Sequence, residues 1–237
     1  DNRVISNYIV NKKLNLSSIE GFLCLGYIPS SNFFFKKIFD LTPGYILEYD
    51  PTIKKTIFYS YKKEIQKKIV SKDYSYKEFK NNLIESVEEV HIADVDVGIF
   101  LSSGLDSSLI ALISKIILNK DPLCFSIGYG LKNDEGNDIE IFCKENNLRS
   151  NIFKISNIEA GKEFINYPEI YDRPMSDTSC ALISFLSKKC FPQTRCVITG
   201  DGADELFWGY QRYLKYINFE KFSKLIPKKN LIEKFLI

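Results

Sequence analysis

Apolar and polar residues change their spacing along this chain near residue 75. Tyr76, Phe79, Leu83, Ile84, Val87 and Val90 recur at helical intervals and predict an amphipathic helix. Val97-Gly98-Ile99-Phe100-Leu101 is a short continuous apolar run, the pattern of a buried parallel strand. Ser102-Ser103-Gly104 breaks it. Residues 107–118 are apolar nearly all round, which suits a helix packed on a sheet. Further strands are predicted at 123–127, 151–155 and 196–199. Helices are predicted at 134–147, 157–164 and 181–189, the first opened by acidic residues that favour its positive end. Strand and helix alternate, so from about residue 76 the expected fold is α/β with a mainly parallel sheet and flanking helices.

Residues 1–60 predict a different, β-rich segment of short strands and turns. Phe22-Leu23-Cys24-Leu25 is an apolar run ended by Gly26. Pro43-Gly44 turns into an extended run to Asp50, and Thr56-Ile57-Phe58-Tyr59 predicts another strand. This is too little chain for a free-standing core. Seven lysines lie between residues 60 and 80, interrupted by Glu64, Asp73 and Glu78, which predicts a solvated connector. The expected domains are therefore 1–60, a linker over 61–75, and 76–237.

Composition narrows the function. Lys plus Arg is 32 against 30 for Asp plus Glu, a net charge of +2, without the basic excess of a nucleic-acid binder. No apolar run approaches the ~18 residues of a membrane span. The six cysteines form no C-x-x-C pair, and several stand in apolar runs as small hydrophobes, so a reducing cytoplasm is expected. The single histidine, His91, is framed by no serine-nucleophile motif and predicts a surface or helix-end residue.

Nine of the 12 glycines lie between Gly98 and Gly209, clustered after predicted strands. Ligands of open α/β sheets bind beyond the carboxyl ends of strands, and two segments stand there. In Ser102-Ser103-Gly104-Leu105-Asp106-Ser107-Ser108 a strand, a small-residue turn and a helix start follow one another. Free N–H groups and the helix dipole there suit an anion. The alternative is a plain helix start capped by Asp106 or Ser107. An acid in a phosphate loop calls for a cation, and Mg²⁺ shared by carboxylate and phosphate fits. In Thr199-Gly200-Asp201-Gly202-Ala203-Asp204-Glu205 three carboxylates crowd five residues between apolar runs. Read as a site, it holds a divalent metal; read otherwise, it is a polar turn. No Walker-type loop and no G-x-G-x-x-G fingerprint occurs.

Ser102-Ser103-Gly104-Leu105-Asp106-Ser107 resembles the S-G-G-x-D-S loop of the ATP-pyrophosphatase (PP-loop) ligases. Residues 95–108 and the segment from Thr199 to Tyr210 are similar to the glutamine-hydrolysing asparagine synthetase family, the latter to S-G-[ED]-G-x-D-E-x-F-x-G-Y. Gly26-Tyr27-Ile28-Pro29, Phe35-Lys36-Lys37-Ile38 and Leu41-Thr42-Pro43-Gly44 resemble the tail of that family's class II glutaminase domain. The resemblance implies ATP cleavage between its α and β phosphates. A carboxylate, aspartate in the name-giving enzymes, is adenylated; ammonia from glutamine then gives the amide, AMP and pyrophosphate. It implies that Ser102, Ser103, Gly104, Asp106 and Ser107 hold pyrophosphate, and that Leu101 with Ile127 and Gly128 borders the adenine. Thr199 and Gly200 would border the adenosine, Asp106 and Asp204 would hold Mg²⁺, and Asp201 would lie near the reacting carboxylate. Residues 172–179 resemble a stretch near the acceptor, and a homodimer is also implied. Ser103 replaces a loop glycine, and this chain begins with Asp1, whereas such glutaminases use an N-terminal cysteine and need more chain than residues 1–60 supply. A fragment of a longer ligase is therefore expected; a related amidotransferase for another acid, or a truncated inactive ATP-binding paralogue, is the alternative.

Overall fold

The computed structural model describes residues 2–9, 11–29, 33–61, 75–129 and 134–225. Most of the lysine-rich connector and the stretch after Leu225 lie outside them. The first elements are helices α1 (Asn2–Asn7) and α2 (Leu16–Leu25), followed by an antiparallel hairpin of β1 (Tyr45–Asp50) and β2 (Lys55–Ser60). The two helices correct the expectation of strands and turns alone. The Phe22–Leu25 run is the last turn of α2, and Gly26 ends it at φ 77 with its N–H bonded to the Phe22 carbonyl. Four apolar residues before a glycine suit a strand end and a left-handed helix cap equally well.

The alternating region forms a four-stranded parallel sheet. Its elements run α3 (Tyr76–Val90), β3 (Val97–Phe100), α4 (Leu105–Leu112), β4 (Leu123–Gly128), α5 (Glu135–Glu145), β5 (Arg149–Lys154), α6 (Asn157–Ile165), α7 (Tyr167–Ile170), α8 (Ser179–Cys190) and β6 (Cys196–Ile198). Helices α9 (Ala203–Phe207) and α10 (Gln211–Leu225) follow. Strand order is β5-β4-β3-β6, every neighbouring pair parallel. The apolar runs alternate faces as strands must. Ile99, Leu101 and Cys124 pack with Ala111, Ile139 and Cys143 from α4 and α5. Phe125, Phe100 and Phe153 pack with Leu186 and Cys190 from α8 on the other face. Helices therefore cover both faces.

Local signals start several of these helices. Ser75 and Glu78 make a reciprocal capping box for α3, and Ser156 with Glu159 repeats it for α6. Each satisfies two otherwise unpaired N–H groups, worth about 1 kcal/mol. The buried cysteines behave as core residues, and burial pushes the Cys124 thiol up to about 12. Among the described residues no helix is long and apolar enough to cross a membrane.

His91 stands at the end of α3, as the sequence suggests, but it is buried rather than on the surface. After Leu112 the α4 helix widens into a π turn over Ile113–Ile117. There the Ser114 hydroxyl donates to the Ile110 carbonyl (2.7 Å), so the His91 Nε2–H donates to Ser114 Oγ (2.8 Å). Burial first, and the Lys120 charge second, push the His91 pKa down. The folded protein thus favours neutral His91, while the unfolded chain takes up a proton near an ordinary value of about 6.5. This contribution to stability is complete above that pH and is lost as pH falls towards the folded value. Thermal scans should show Tm declining between about pH 7.5 and about pH 5, with part of the decline absent in His91→Gln.

Candidate functional site

Strand β3 is where the strand order reverses: β4 and β5 lie on one side and β6 on the other. In an open parallel sheet the two loops leaving such neighbours diverge and leave a crevice at their carboxyl ends. The register sets those loops level, because Ile99 pairs with Ile198. Leu101 and Gly200 each lie two residues beyond that pair. Between the loops lies a cavity of about 450 Å³.

The first loop is braced by its own side chains. Ser107 is buried, and its Oγ accepts the Ser102 N–H (3.0 Å) and stands 2.9 Å from Ser102 Oγ. Ser102 Oγ in turn accepts the Gly104 N–H (3.2 Å). Gly104, with no side chain, is the residue before α4, so neither Asp106 nor Ser107 caps it. Both belong to the first turn, where N–H groups have no intrahelical partner and face the loop.

The second loop touches the first. A Cβ on Gly200 would lie 3.1 Å from Asp106 Cβ and 3.1 Å from the Ser107 nitrogen. A larger residue there would push the two loops apart by a few tenths of an ångström. Gly202 follows at φ 93, a conformation that glycine adopts without penalty. The Thr199 hydroxyl donates to Asp201 (2.9 Å) and steadies its carboxylate. Glu205 turns away: the Tyr210 hydroxyl donates to it (2.6 Å), which holds its carboxyl below the usual range.

Of the residues singled out from sequence, Leu101, Ser102, Gly104, Asp106, Ser107, Ile127, Thr199, Gly200, Asp201 and Asp204 all line this one cavity. Gly128 does not. It lines another cavity of about 490 Å³ and packs under the start of α5, where its own Cβ would meet Asp134 and Gly136. Ser103 is off the wall too, with its N–H and hydroxyl both donated to Glu135 Oε1 (2.7 and 2.8 Å). Sequence reasoning missed Glu135, Ser126, Tyr129 and the α8 residues Leu182, Ile183 and Leu186, all on the wall. Ser126, Tyr129 and Glu135 stand at or just past the carboxyl end of β4, a position that could have flagged them. The α8 residues carry no local signal.

Among the described residues no three Asp, Glu, His or Cys side chains converge as a ready-made metal cage. Asp106 and Asp204 share the cavity wall, and two carboxylates completed by phosphate oxygens are a donor set that suits Mg²⁺. Residues 172–179 lie off this wall. Arg173 pairs with Asp40 through two bonds (2.9 and 3.0 Å), and the Ser176 N–H donates to the Gly26 carbonyl, which ties this stretch to the N-terminal region.

Fold and crevice together define a parallel α/β protein with a cavity at its switch point, lined by serines and acids of its loops together with apolar residues of β3, β4 and α8. The asparagine synthase family model matches residues 78–236, and the chain belongs to that family. A putative glutamine-hydrolysing asparagine synthetase 2 of Methanocaldococcus jannaschii is 30% identical over 225 residues, covering 92% of this chain and 43% of the relative. Asparagine synthetase 1 of Bacillus subtilis is 26% identical over 220 residues, covering 90% and 34%. The chain thus spans less than half the length of these relatives. An NH3-dependent NAD synthetase structure from Campylobacter jejuni overlays at TM-score 0.42 and 19% identity, covering 58% of this chain and 61% of its own.

Proposed function

We propose that the crevice binds ATP as a PP-loop ligase site does and supports amide formation, with aspartate as the acceptor acid. Family membership supports a ligase of this kind, and one observation carries the site reading. The Ser102–Ser107 and Thr199–Asp204 segments meet at Gly200, placing helix-start N–H groups and the carboxylates of Asp106, Asp201 and Asp204 on one cavity. The N–H groups of the first turn of α4 offset charge on a departing pyrophosphate, the main task in such a reaction. Mg²⁺, when bound by Asp106 and Asp204, supplies further charge neutralisation. An acceptor carboxylate oxygen attacks the α phosphorus, the bond to the bridging oxygen of pyrophosphate breaks, and pyrophosphate departs with the electron pair. Ammonia then attacks the acyl carbon, AMP leaves, and a proton is lost. In this reading Asp201, steadied by Thr199, faces the reacting carboxylate.

The wider assignments belong to the same proposal. Residues 1–60 are the end of a glutaminase-type domain, 61–75 a linker and 76–237 the synthetase region. Ammonia comes from glutamine hydrolysed in the whole protein, which works in the cytoplasm as a homodimer. A second reading, nucleotide binding without turnover, is favoured by one feature: Ser103 stands where the resembled loop has glycine, and its donors are already taken by Glu135.

The test is product analysis with ATP, Mg²⁺, ammonium and a panel of acids that includes aspartate and sugar acids. AMP and pyrophosphate with aspartate support the proposal. ADP and phosphate overturn the reaction type, turnover with another acid alone overturns the acceptor, and ATP binding without products leaves the second reading.

A further inference from the structure

Ser103 is the only member of the Ser102–Gly104 turn whose N–H is bonded from outside the loop. The Ser102 and Gly104 N–H groups are satisfied by Ser107 Oγ and Ser102 Oγ. The Ser103 N–H and hydroxyl converge on a single oxygen of Glu135, at 2.7 and 2.8 Å. Two donors closing on one anionic oxygen beside a helix start is how protein loops hold a phosphate oxygen. Here a carboxylate does so. Glu135 is exposed, lines the crevice and reaches across from the first turn of α5. It stands in the first turn of its helix, a position that suits an acidic side chain.

We propose that Glu135 is a placeholder for a phosphate group: it occupies the Ser103 donors in the free protein and gives them up when a polyphosphate enters. The proposal rests on the reading of the crevice as a polyphosphate site. It assigns Glu135 a role in selecting what binds. A metal-free polyphosphate meets both a filled donor pair and a like charge. A magnesium-neutralised one meets less repulsion, so Glu135 biases the site towards the metal complex. Ser103, where the resembled loop carries glycine, supplies the hydroxyl that makes this contact two-pronged.

Calorimetric titration of the 237-residue chain with inorganic pyrophosphate, with and without Mg²⁺, tests this. Removing the carboxylate should tighten metal-free binding, so Glu135→Ala should bind pyrophosphate about fivefold to tenfold more tightly than wild type. Isosteric Glu135→Gln, which keeps the shape of the loop, should show a smaller gain. Both should narrow the advantage that Mg²⁺ confers, and the gain should shrink in a Ser103→Ala background. A residue that merely braced the loop would move affinity the other way. Weaker or unchanged binding in both Glu135 variants, with wild type binding normally, overturns the placeholder alone. No binding of pyrophosphate or ATP by wild type or variants overturns the nucleotide reading and the placeholder with it.

Discussion

Asp106→Ala and Asp204→Ala should each lower ATP-dependent pyrophosphate release by about 10²–10³-fold, the scale seen when one charge-stabilising group is removed from a preorganised site. Both carboxylates line the crevice, one from the first turn of α4 and one from the first turn of α9. Among the described residues, neither belongs to a metal cage complete in protein groups. In the proposed reading Asp106 and Asp204 would hold the cation together with the phosphates, so losing either acid would lose much of its hold. The loss should be partly recovered at raised Mg²⁺, which a folding defect would not allow. The measurement is pyrophosphate release against Mg²⁺ concentration. Unchanged turnover in both variants would discard the metal assignment.

Gly200→Val should abolish nucleotide binding, with affinity falling by about 100-fold or more, while the protein stays folded. The new side chain would begin 3.1 Å from both Asp106 Cβ and the Ser107 nitrogen. The Ser107 nitrogen belongs to the backbone and cannot rotate away, so the two loops must separate. Overpacking of this kind costs about 1–3 kcal/mol, or about 2–4 °C in Tm per kcal/mol for a chain of this size. Separation moves the N–H groups of α4 away from the acids opposite, so the binding loss should far exceed the stability loss. Gly161→Ala is the control. Nothing lies within 4 Å of its added Cβ on α6, and alanine in a helix is favoured over glycine by about 1 kcal/mol. ATP titration and thermal melts on both variants decide it; normal ATP binding by Gly200→Val would remove the loop contact from the site.

Much of the fold could be read from local pattern. The apolar runs at 97–101, 123–127 and 196–199 are strands, because a strand covered on both faces has no room for polar alternation. The helix at 76–90 is visible through its spacing and stands behind a capping box. The N-terminal region was less legible. The Phe22–Leu25 run is too short to show a period, and its glycine closes a helix rather than a strand. His91 looked like a surface residue because nothing in its neighbours announces the Ser114 hydroxyl 23 residues away.

The same division runs through the crevice. Glycine, serine and acid placed just after a strand carry their meaning in the sequence, since backbone freedom, small size and charge are properties of single residues. That the loops of Ser102 and Gly200 meet could not be read there. It follows from β6 pairing with β3 rather than extending the β4–β5 side, a choice made by contacts about a hundred residues apart. Long-range packing likewise turned Glu135 onto Ser103 and brought the apolar side of α8 to the wall. Side-chain identity is local and pairing of distant strands is not, so the first is written in the chain and the second appears only once it has folded.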